Sequence, residues 1–410
     1  MRYVIIGNST AAVGCIEGIR LIDKESPIFV ISDEPYHTYS RPLISYLLYG
    51  KTDLERMKYR DNDFYKKNNV TAYLGKTVTK IDNDKKEVVI DNEERIAFDK
   101  LLIATGARPF VPPINGLDTV KNKFTFMKLD DALALQKAVN KESRVLVLGA
   151  GLIGLKCVEG IFDKVKEINV VDMADRILPS ILDEKGAELI KTFLEEKGVA
   201  FKLGTSIAEL KENEAVLTDG RSVTFDILVL AVGVRPNVEL AKEIGIEVNR
   251  GIIINSHCET NLKDIYAAGD CCECFDISID KKRILALLPN AYMQGECAGM
   301  NMAGDTEKVF DKAIPMNAIG FFGYHIITAG SYDGESYIKE DGVNYKRLIT
   351  KDNLLKGFIL IGDIERAGIY TSMIRDKVPL DSVDFDLLKE AAQLMAFSKE
   401  ERAKKLGGVK

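Results

Sequence analysis

At 410 residues, 46% hydrophobic and 29% charged, the chain is longer than one ordinary globular core, and about two to three domains are expected. No apolar stretch approaches the roughly 18 residues of a membrane span, and a strand beginning almost at once leaves no room for a signal peptide, so the cytoplasm is the expected location. A formal charge of −6 gives nonspecific nucleic-acid binding no support, and seven cysteines without an export signal argue against a disulfide framework.

The opening run Arg2-Tyr3-Val4-Ile5-Ile6 reads as a buried strand. Gly7-Asn8-Ser9-Thr10-Ala11-Ala12 follows as a degenerate glycine turn, with Ser9 and Ala12 where G-x-G-x-x-G carries its second and third glycines. Small residues there still let the backbone approach a pyrophosphate, although an ordinary strand-to-helix turn has the same pattern. The next strand, Ile28-Phe29-Val30-Ile31, ends in Ser32-Asp33-Glu34; either acid suits a ribose, and Asp33 is preferred. The stretch from Tyr36 to Tyr46 contains Ser40-Arg41-Pro42-Leu43 and no cysteine, and Leu101 to Pro109 closes this first unit with Ala104-Thr105-Gly106.

A complete fingerprint comes next. The apolar run Val145-Leu146-Val147-Leu148 leads into Gly149-Ala150-Gly151-Leu152-Ile153-Gly154 and then a predicted helix. The first glycine permits the tight turn, the second lets the backbone approach a pyrophosphate, and the third lets helix pack on strand. The free N–H groups of the helix start attract the phosphates. Asp172 ends the following strand 23 positions past Gly149, a spacing suited to a ribose-binding acid, and it favours NADH over NADPH; Arg176 keeps a phosphate within reach. Leu228 to Asn237, with Gly233 inside it, is the counterpart of the Leu101–Pro109 segment.

Thr260 to Asp270 ends in Ala267-Ala268-Gly269-Asp270, and Cys271-Cys272-Glu273-Cys274 follows, expected to open a helix whose N-terminus would lower thiol pKa. Three thiols fall short of a zinc or iron-sulfur ligand set, and no metal site is expected. Pro289-Asn290-Ala291-Tyr292 leads a further helix. Asn344–Thr350 and Leu354–Ile361 read as a hairpin joined through Lys351-Asp352-Asn353. From Ser382 to Lys410 the pattern is helical, with Leu387, Leu388, Ala391, Leu394 and Met395 on one side.

The order of these motifs resembles the two-dinucleotide-binding-domain flavoproteins of the pyridine nucleotide-disulfide oxidoreductase family, over about residues 1 to 375. The resemblance implies an α/β fold of two Rossmann-like dinucleotide-binding domains and a small C-terminal α+β domain. The FAD domain would comprise residues 1–112 and 238–305, interrupted by an NAD domain at 113–237; the C-terminal domain would span 306–380 and a helical tail 381–410. Carried over residue by residue, FAD would lie on Gly7, Ser9, Thr10, Ala11 and Ala12, with Asp33 on its ribose and the Val78 backbone on adenine. Ala104, Thr105 and Gly106 would line its pyrophosphate, Gly269 and Asp270 would return to it, and Ser40, Arg41 and Pro42 would sit by the isoalloxazine with Pro289 and Asn290 covering it. NAD would take Gly149, Gly151, Leu152, Ile153, Gly154, Asp172 and Gly233.

Disulfide-reducing members of that family carry a redox cysteine on the helix after the second strand, and its absence here disfavours their chemistry. Ser40-Arg41-Pro42-Leu43 is instead similar to NADH:rubredoxin oxidoreductases, the flavin region of NAD(P)H-nitrite reductases and ferredoxin-type reductases. Lys156 departs from the glutamate many relatives carry, and Glu159, a candidate beside the nicotinamide, lies on the neighbouring helical face. The resemblance implies an FAD-dependent NADH:acceptor oxidoreductase serving a rubredoxin- or ferredoxin-type carrier, with homo-oligomers or a larger redox complex as further partners. A peroxide-forming NADH oxidase and a flavoprotein sensor or assembly subunit are the alternatives.

Overall fold

The computed structural model describes residues 1–407. The apolar runs bounded by glycine become central strands buried on both faces, as parallel sheets require. Tyr3–Ile6 and Arg144–Leu148 each sit mid-sheet with a helix leaving from the glycine turn that follows. In the first sheet the order is Ile265–Ala267, Lys100–Ile103, Tyr3–Ile6, Ile28–Ser32, Val70–Leu74, all parallel. The second repeats it with Ala200–Leu203, Glu167–Asp172, Arg144–Leu148, Ile227–Leu230 and Lys123–Thr125. The Thr260–Asp270 segment therefore returns, after the whole of the second sheet, to the edge of the first, where Ile265 lies opposite Leu101.

Each sheet carries a three-stranded antiparallel flap that periodicity did not reveal, Val78–Asp82 to Glu94–Ala97 in one and Ile207–Lys211 to Ser222–Thr224 in the other. The two closing motifs pair with each other: Ala107–Pro109 runs antiparallel to Val234–Pro236, with Arg108 opposite Arg235. Among the described residues no helix is long and apolar enough to cross a membrane.

Chain contacts divide the molecule into two compact units. The second comprises Ile181–Leu189, Phe275–Lys282 and the chain from Asp311 onward. Its five-stranded antiparallel sheet contains the expected hairpin, Asn344–Lys351 with Leu354–Ile361, turned by Asp352 and Asn353 at φ 55° and 58°. Two successive positive φ values make the tight turn that matches strand twist.

The tail is not one helix. Phe385–Glu390 is capped by the Asp384 carboxylate accepting from Leu387 N–H, the chain turns extended at Ala391, and Lys399–Lys405 begins anew at Ser398. The break rotates the expected apolar side: Leu388 is buried, whereas Met395 is 67% exposed. Leu388, Ala392, Ala396 and Phe397 join Leu348, Phe358 and Tyr370 in one core, so the segment is part of this unit; the last three residues of the expected tail lie outside the described residues. Leu388→Ala is expected to cost about 2–5 kcal/mol, read as a lower denaturation midpoint for this unit.

Candidate functional site

The first glycine turn is sterically committed. Gly7 sits at φ 120°, and a Cβ there would stand 2.1 Å from the Ala104 carbonyl oxygen. The helix that follows, Thr10–Ile22, receives no side-chain cap from Ser9, so its first-turn N–H groups remain available to an anion. Ala12, in the third glycine's place, is buried, and the close approach expected there happens on another face of the helix. Gly14 and Gly18 meet the backbone of Leu288–Met302, while Gly295 and Gly299 of that helix meet Ala11 and Cys15 oxygens at 2.0 and 2.2 Å from where a Cβ would be. This crossing brings Pro289 and Asn290, at the start of Leu288–Met302, to the same end as Ala11, and Gln294 accepts the Gly269 N–H at 2.6 Å.

Beside the turn lies a pocket of about 210 Å³ lined by Ile6, Gly7, Asp33, Val78, Thr105 and Asn237, among others. Four residues named from sequence thus share one cavity. Asp33 and Glu34 are separated by their partners. Glu34 is buried and paired with Arg41, and it accepts from Tyr39 OH at 2.6 Å. Asp33 is exposed at the pocket and paired with Lys128 at 2.6 Å. Thr105 is fixed from the second closing motif: its hydroxyl donates to Asn237 O at 2.7 Å and its carbonyl accepts from Asn237 Nδ2 at 2.9 Å.

Arg41 is not a surface ion pair. Besides Glu34 it reaches Tyr39 OH and Met127 O, each at 3.4 Å, and lies over the Tyr39 ring. Ser40 is tied by its N–H to Met57 O, and Pro42 caps the short helix Leu43–Tyr49. Asp270 follows Gly269, whose φ of 87° turns the chain away from the sheet. Burial pushes the Asp270 carboxyl above its ordinary range, with the nearby Arg41 charge opposing. A partly buried carboxylate costs free energy unless water or another donor meets it. His37 Nε2 and Thr38 Oγ1, in the same loop as Ser40, are buried without a protein partner.

A large polyhydroxylated dinucleotide fits these features. FAD, which the resemblance implies, would bring a pyrophosphate for the Thr10 helix start, an adenosine for the Asp33–Val78 pocket and ribityl hydroxyls for Asp270.

The second turn has the same construction. Gly149 sits at φ 115°, and a Cβ there would stand 2.3 Å from Ala231 O, while one on Gly154 would meet Gly149 O at 2.0 Å. A Cβ on Gly151 would meet nothing within 4 Å, so that residue faces open space. Gly151 caps Leu152–Ile161 without a side-chain bond, leaving the N–H groups of Leu152 and Ile153 at the mouth. Asp172 accepts Ala150 N–H at 2.6 Å and Ala174 N–H at 2.8 Å, which holds its carboxylate beside the turn. Arg176 pairs with Asp175, and its Nε is buried without a partner. Gly233, at φ 101°, stands where the second closing motif leaves its strand. Glu159 is buried and paired with Lys156 and does not face solvent.

The cysteine expectation is corrected. Cys272–Asp276 is a strand paired in parallel with Ile252–Ile253, so Asp270 caps no helix and no helix dipole acts on the thiols. Glu273 secures the strand by accepting the N–H groups of Arg250 and Gly251. The Cys271 and Cys272 sulfurs are 3.6 Å apart. Cys271 is lowered chiefly by the hydrogen bond from Cys272, against burial, whereas burial and Cys271 raise Cys272. All seven cysteines are buried.

Comparison with known proteins agrees with this geometry. The pyridine nucleotide-disulphide oxidoreductase family matches residues 1–295, and the rubredoxin NAD+ reductase C-terminal domain matches 315–378. The chain is 32% identical to the assimilatory nitrate reductase electron transfer subunit of Bacillus subtilis over 92% of its own length and 49% of that protein's, so it spans about half of that relative. It is also 32% identical to the NADH-dependent phenylglyoxylate dehydrogenase subunit epsilon of Aromatoleum evansii, over 93% of this chain and 94% of the other. The reductase fold in the covalent putidaredoxin reductase-putidaredoxin complex superposes with a TM-score of 0.88 at 22% identity, covering 100% of this chain and 99% of that one. Two glycine turns of this construction, matched by the family over residues 1–295, make the chain a member of the pyridine nucleotide-disulphide oxidoreductases, enzymes that carry FAD and exchange electrons with a nicotinamide dinucleotide.

Proposed function

We propose that the chain is an FAD-dependent NADH:acceptor oxidoreductase that passes electrons between NAD(H) and a one-electron iron-sulfur carrier of rubredoxin or ferredoxin type. The observation that carries this reading is a loop from Asp33 to Pro42 that offers Arg41 and the nearby Asp270 to a flavin and no thiol to relay its electrons. Burial of every cysteine supports the same exit route. The match of residues 315–378 to a rubredoxin reductase domain supports the carrier class.

Bound flavin supplies the conversion of a two-electron donor into two single-electron deliveries. The residues position it. The Thr10 helix start, Thr105 and Gly106 hold the pyrophosphate, Asp33 and Val78 the adenosine, and Asp270 the ribityl chain. Ser40, Arg41, Pro42, Pro289 and Asn290 would border the isoalloxazine, where the Arg41 charge would favour negative charge. Gly149 to Gly154 hold the nicotinamide dinucleotide, with Asp172 favouring a free ribose hydroxyl over a phosphate. Residues 1–112 and 238–305 form the FAD module in this scheme and 113–237 the NAD module.

In stopped flow, NADH is expected to bleach the flavin and an added rubredoxin or ferredoxin to restore its colour. Absence of transfer to any such carrier would sink the acceptor assignment. Oxygen uptake that accounts for all NADH consumed would replace it with a peroxide-forming oxidase.

A further inference from the structure

The buried thiols differ in what surrounds them. Cys157 meets burial alone, which pushes it up, and Cys15 faces Met302 Sδ at 3.7 Å. Cys271 and Cys272 touch, but their α-carbons are chain neighbours about 3.8 Å apart, closer than the roughly 4.4–6.8 Å that an unstrained disulfide spans. Cys258 and Cys297 are free of that limit, since they come from distant parts of the chain and their sulfurs share a hydrogen bond.

Both residues are held in place. Cys258, at φ 62°, closes a turn in which its N–H meets Asn255 O at 3.1 Å, while the Asn255 side chain takes the N–H groups of His257 and Glu259. Cys297 stands on Leu288–Met302 with its Sγ 3.6 Å from Ser256 O of that turn and 3.5 Å from Lys308 O. Asn301, one helical turn on, donates to the same sulfur at 3.5 Å. A sulfur that receives S–H and N–H donors beside a lysine favours the thiolate, which is the nucleophilic form. Cys297 accordingly lies below the ordinary thiol range, chiefly through the Cys258 hydrogen bond, against burial, with help from the Lys308 charge and Asn301. The same hydrogen bond and burial hold Cys258 well above that range.

The cover over the pair is thin. Lys308 lies between Glu307 and Val309, both exposed. Asn301 Nδ2 fastens this stretch to the helix at Lys308 O, 2.8 Å away, and Phe310 N–H fastens it to the turn at Ser256 O, 2.7 Å away. Opening those two bonds admits a small oxidant such as hydrogen peroxide to Cys297.

We propose that Cys258 and Cys297 form a peroxide-oxidised dithiol: the Cys297 thiolate attacks hydrogen peroxide, and Cys258 then closes a disulfide that ties the Asn255–Cys258 turn to the helix Leu288–Met302. In the first step the O–O bond breaks, Cys297 becomes a sulfenic acid, and the other oxygen takes a proton from solvent and leaves as water. In the second the Cys258 sulfur displaces the sulfenic hydroxyl, which takes the thiol proton and leaves as a second water. Peroxide gains two electrons and the two thiols together lose them. The helix so tied also carries Gln294, which receives Gly269 N–H.

The test treats FAD-loaded protein with a small excess of hydrogen peroxide, alkylates the remaining thiols, digests without reductant and maps the peptides by mass spectrometry. The expected product joins the Cys258 and Cys297 peptides, is two hydrogens lighter than the separate thiol peptides, and disappears on adding dithiothreitol. In Cys258→Ser the same treatment should leave Cys297 as a sulfenic acid that dimedone captures. Wild-type protein in which Cys258 and Cys297 stay unlinked would overturn the proposal, a result that does not depend on the variant folding. Neither step uses NADH or a carrier, so that failure would leave the proposed function standing.

Discussion

Gly295→Ala is expected to yield a protein that holds no flavin and is destabilised by about 3 kcal/mol or more, because one methyl group would be forced into backbone. Its Cβ would stand 2.0 Å from the Ala11 carbonyl oxygen and 3.0 Å from Ala11 Cα. No rotamer relieves such a contact; the helices Thr10–Ile22 and Leu288–Met302 must separate. Separation would move the Thr10 helix start and the Gln294 oxygen that receives Gly269 N–H, and both border the proposed flavin site. Gly368 supplies the control: a Cβ there meets nothing within 4 Å, so alanine in the helix Ala367–Arg375 should be neutral or stabilising by up to about 1 kcal/mol. Urea denaturation together with the flavin-to-protein absorbance ratio reads both variants. A Gly295→Ala protein that stays yellow with an unchanged midpoint would refute the tight crossing.

Asp270→Asn is expected to act in opposite directions on flavin affinity and on the flavin-free fold. Burial raises the folded Asp270 pKa above its usual 3.8. A raised carboxyl favours the protonated group in the fold, so its stabilising contribution is present below the unfolded value and is lost as pH rises through the folded one. Above that window the flavin-free protein holds a partly buried carboxylate at some cost. Asparagine removes that cost, and the flavin-free variant should melt no lower than wild type above that window while losing this part of the pH dependence. Flavin affinity should nevertheless fall about ten- to hundredfold, since hydrogen bonds to a charged acceptor are the stronger kind. Flavin titration of apoprotein and melting curves at several pH values separate the two effects. Undiminished affinity would remove Asp270 from the flavin site.

What was legible in the sequence was whatever depends on neighbours along the chain. Gly149-Ala150-Gly151-Leu152-Ile153-Gly154 after four apolar residues can build little except a strand, a tight turn and a helix, and the structure has all three. The Asn344–Ile361 hairpin is equally local, because its turn residues alone supply the positive φ values. Gly7 and the Ala267–Asp270 segment were readable for the same reason.

Only the tertiary structure decided what depends on partners distant in sequence. Asp33 and Glu34 are adjacent carboxylates with equal chemistry until Arg41 and Tyr39 engage one and leave the other at the pocket. Cys271 to Cys274 looked like a helix start because helix and strand are both open to a short apolar run; pairing with Ile252–Ile253 chose the strand. Gly14, Gly18, Gly295 and Gly299 carry no meaning singly, since what requires them is a helix that follows the second sheet in the chain and approaches within a methyl group's width. Glu159 is placed on a helical face by its spacing alone, and only the fold buries it against Lys156. Local sequence limits backbone geometry through sterics and hydrogen bonding, whereas burial and ion pairing are set by whichever distant atoms the fold brings into contact.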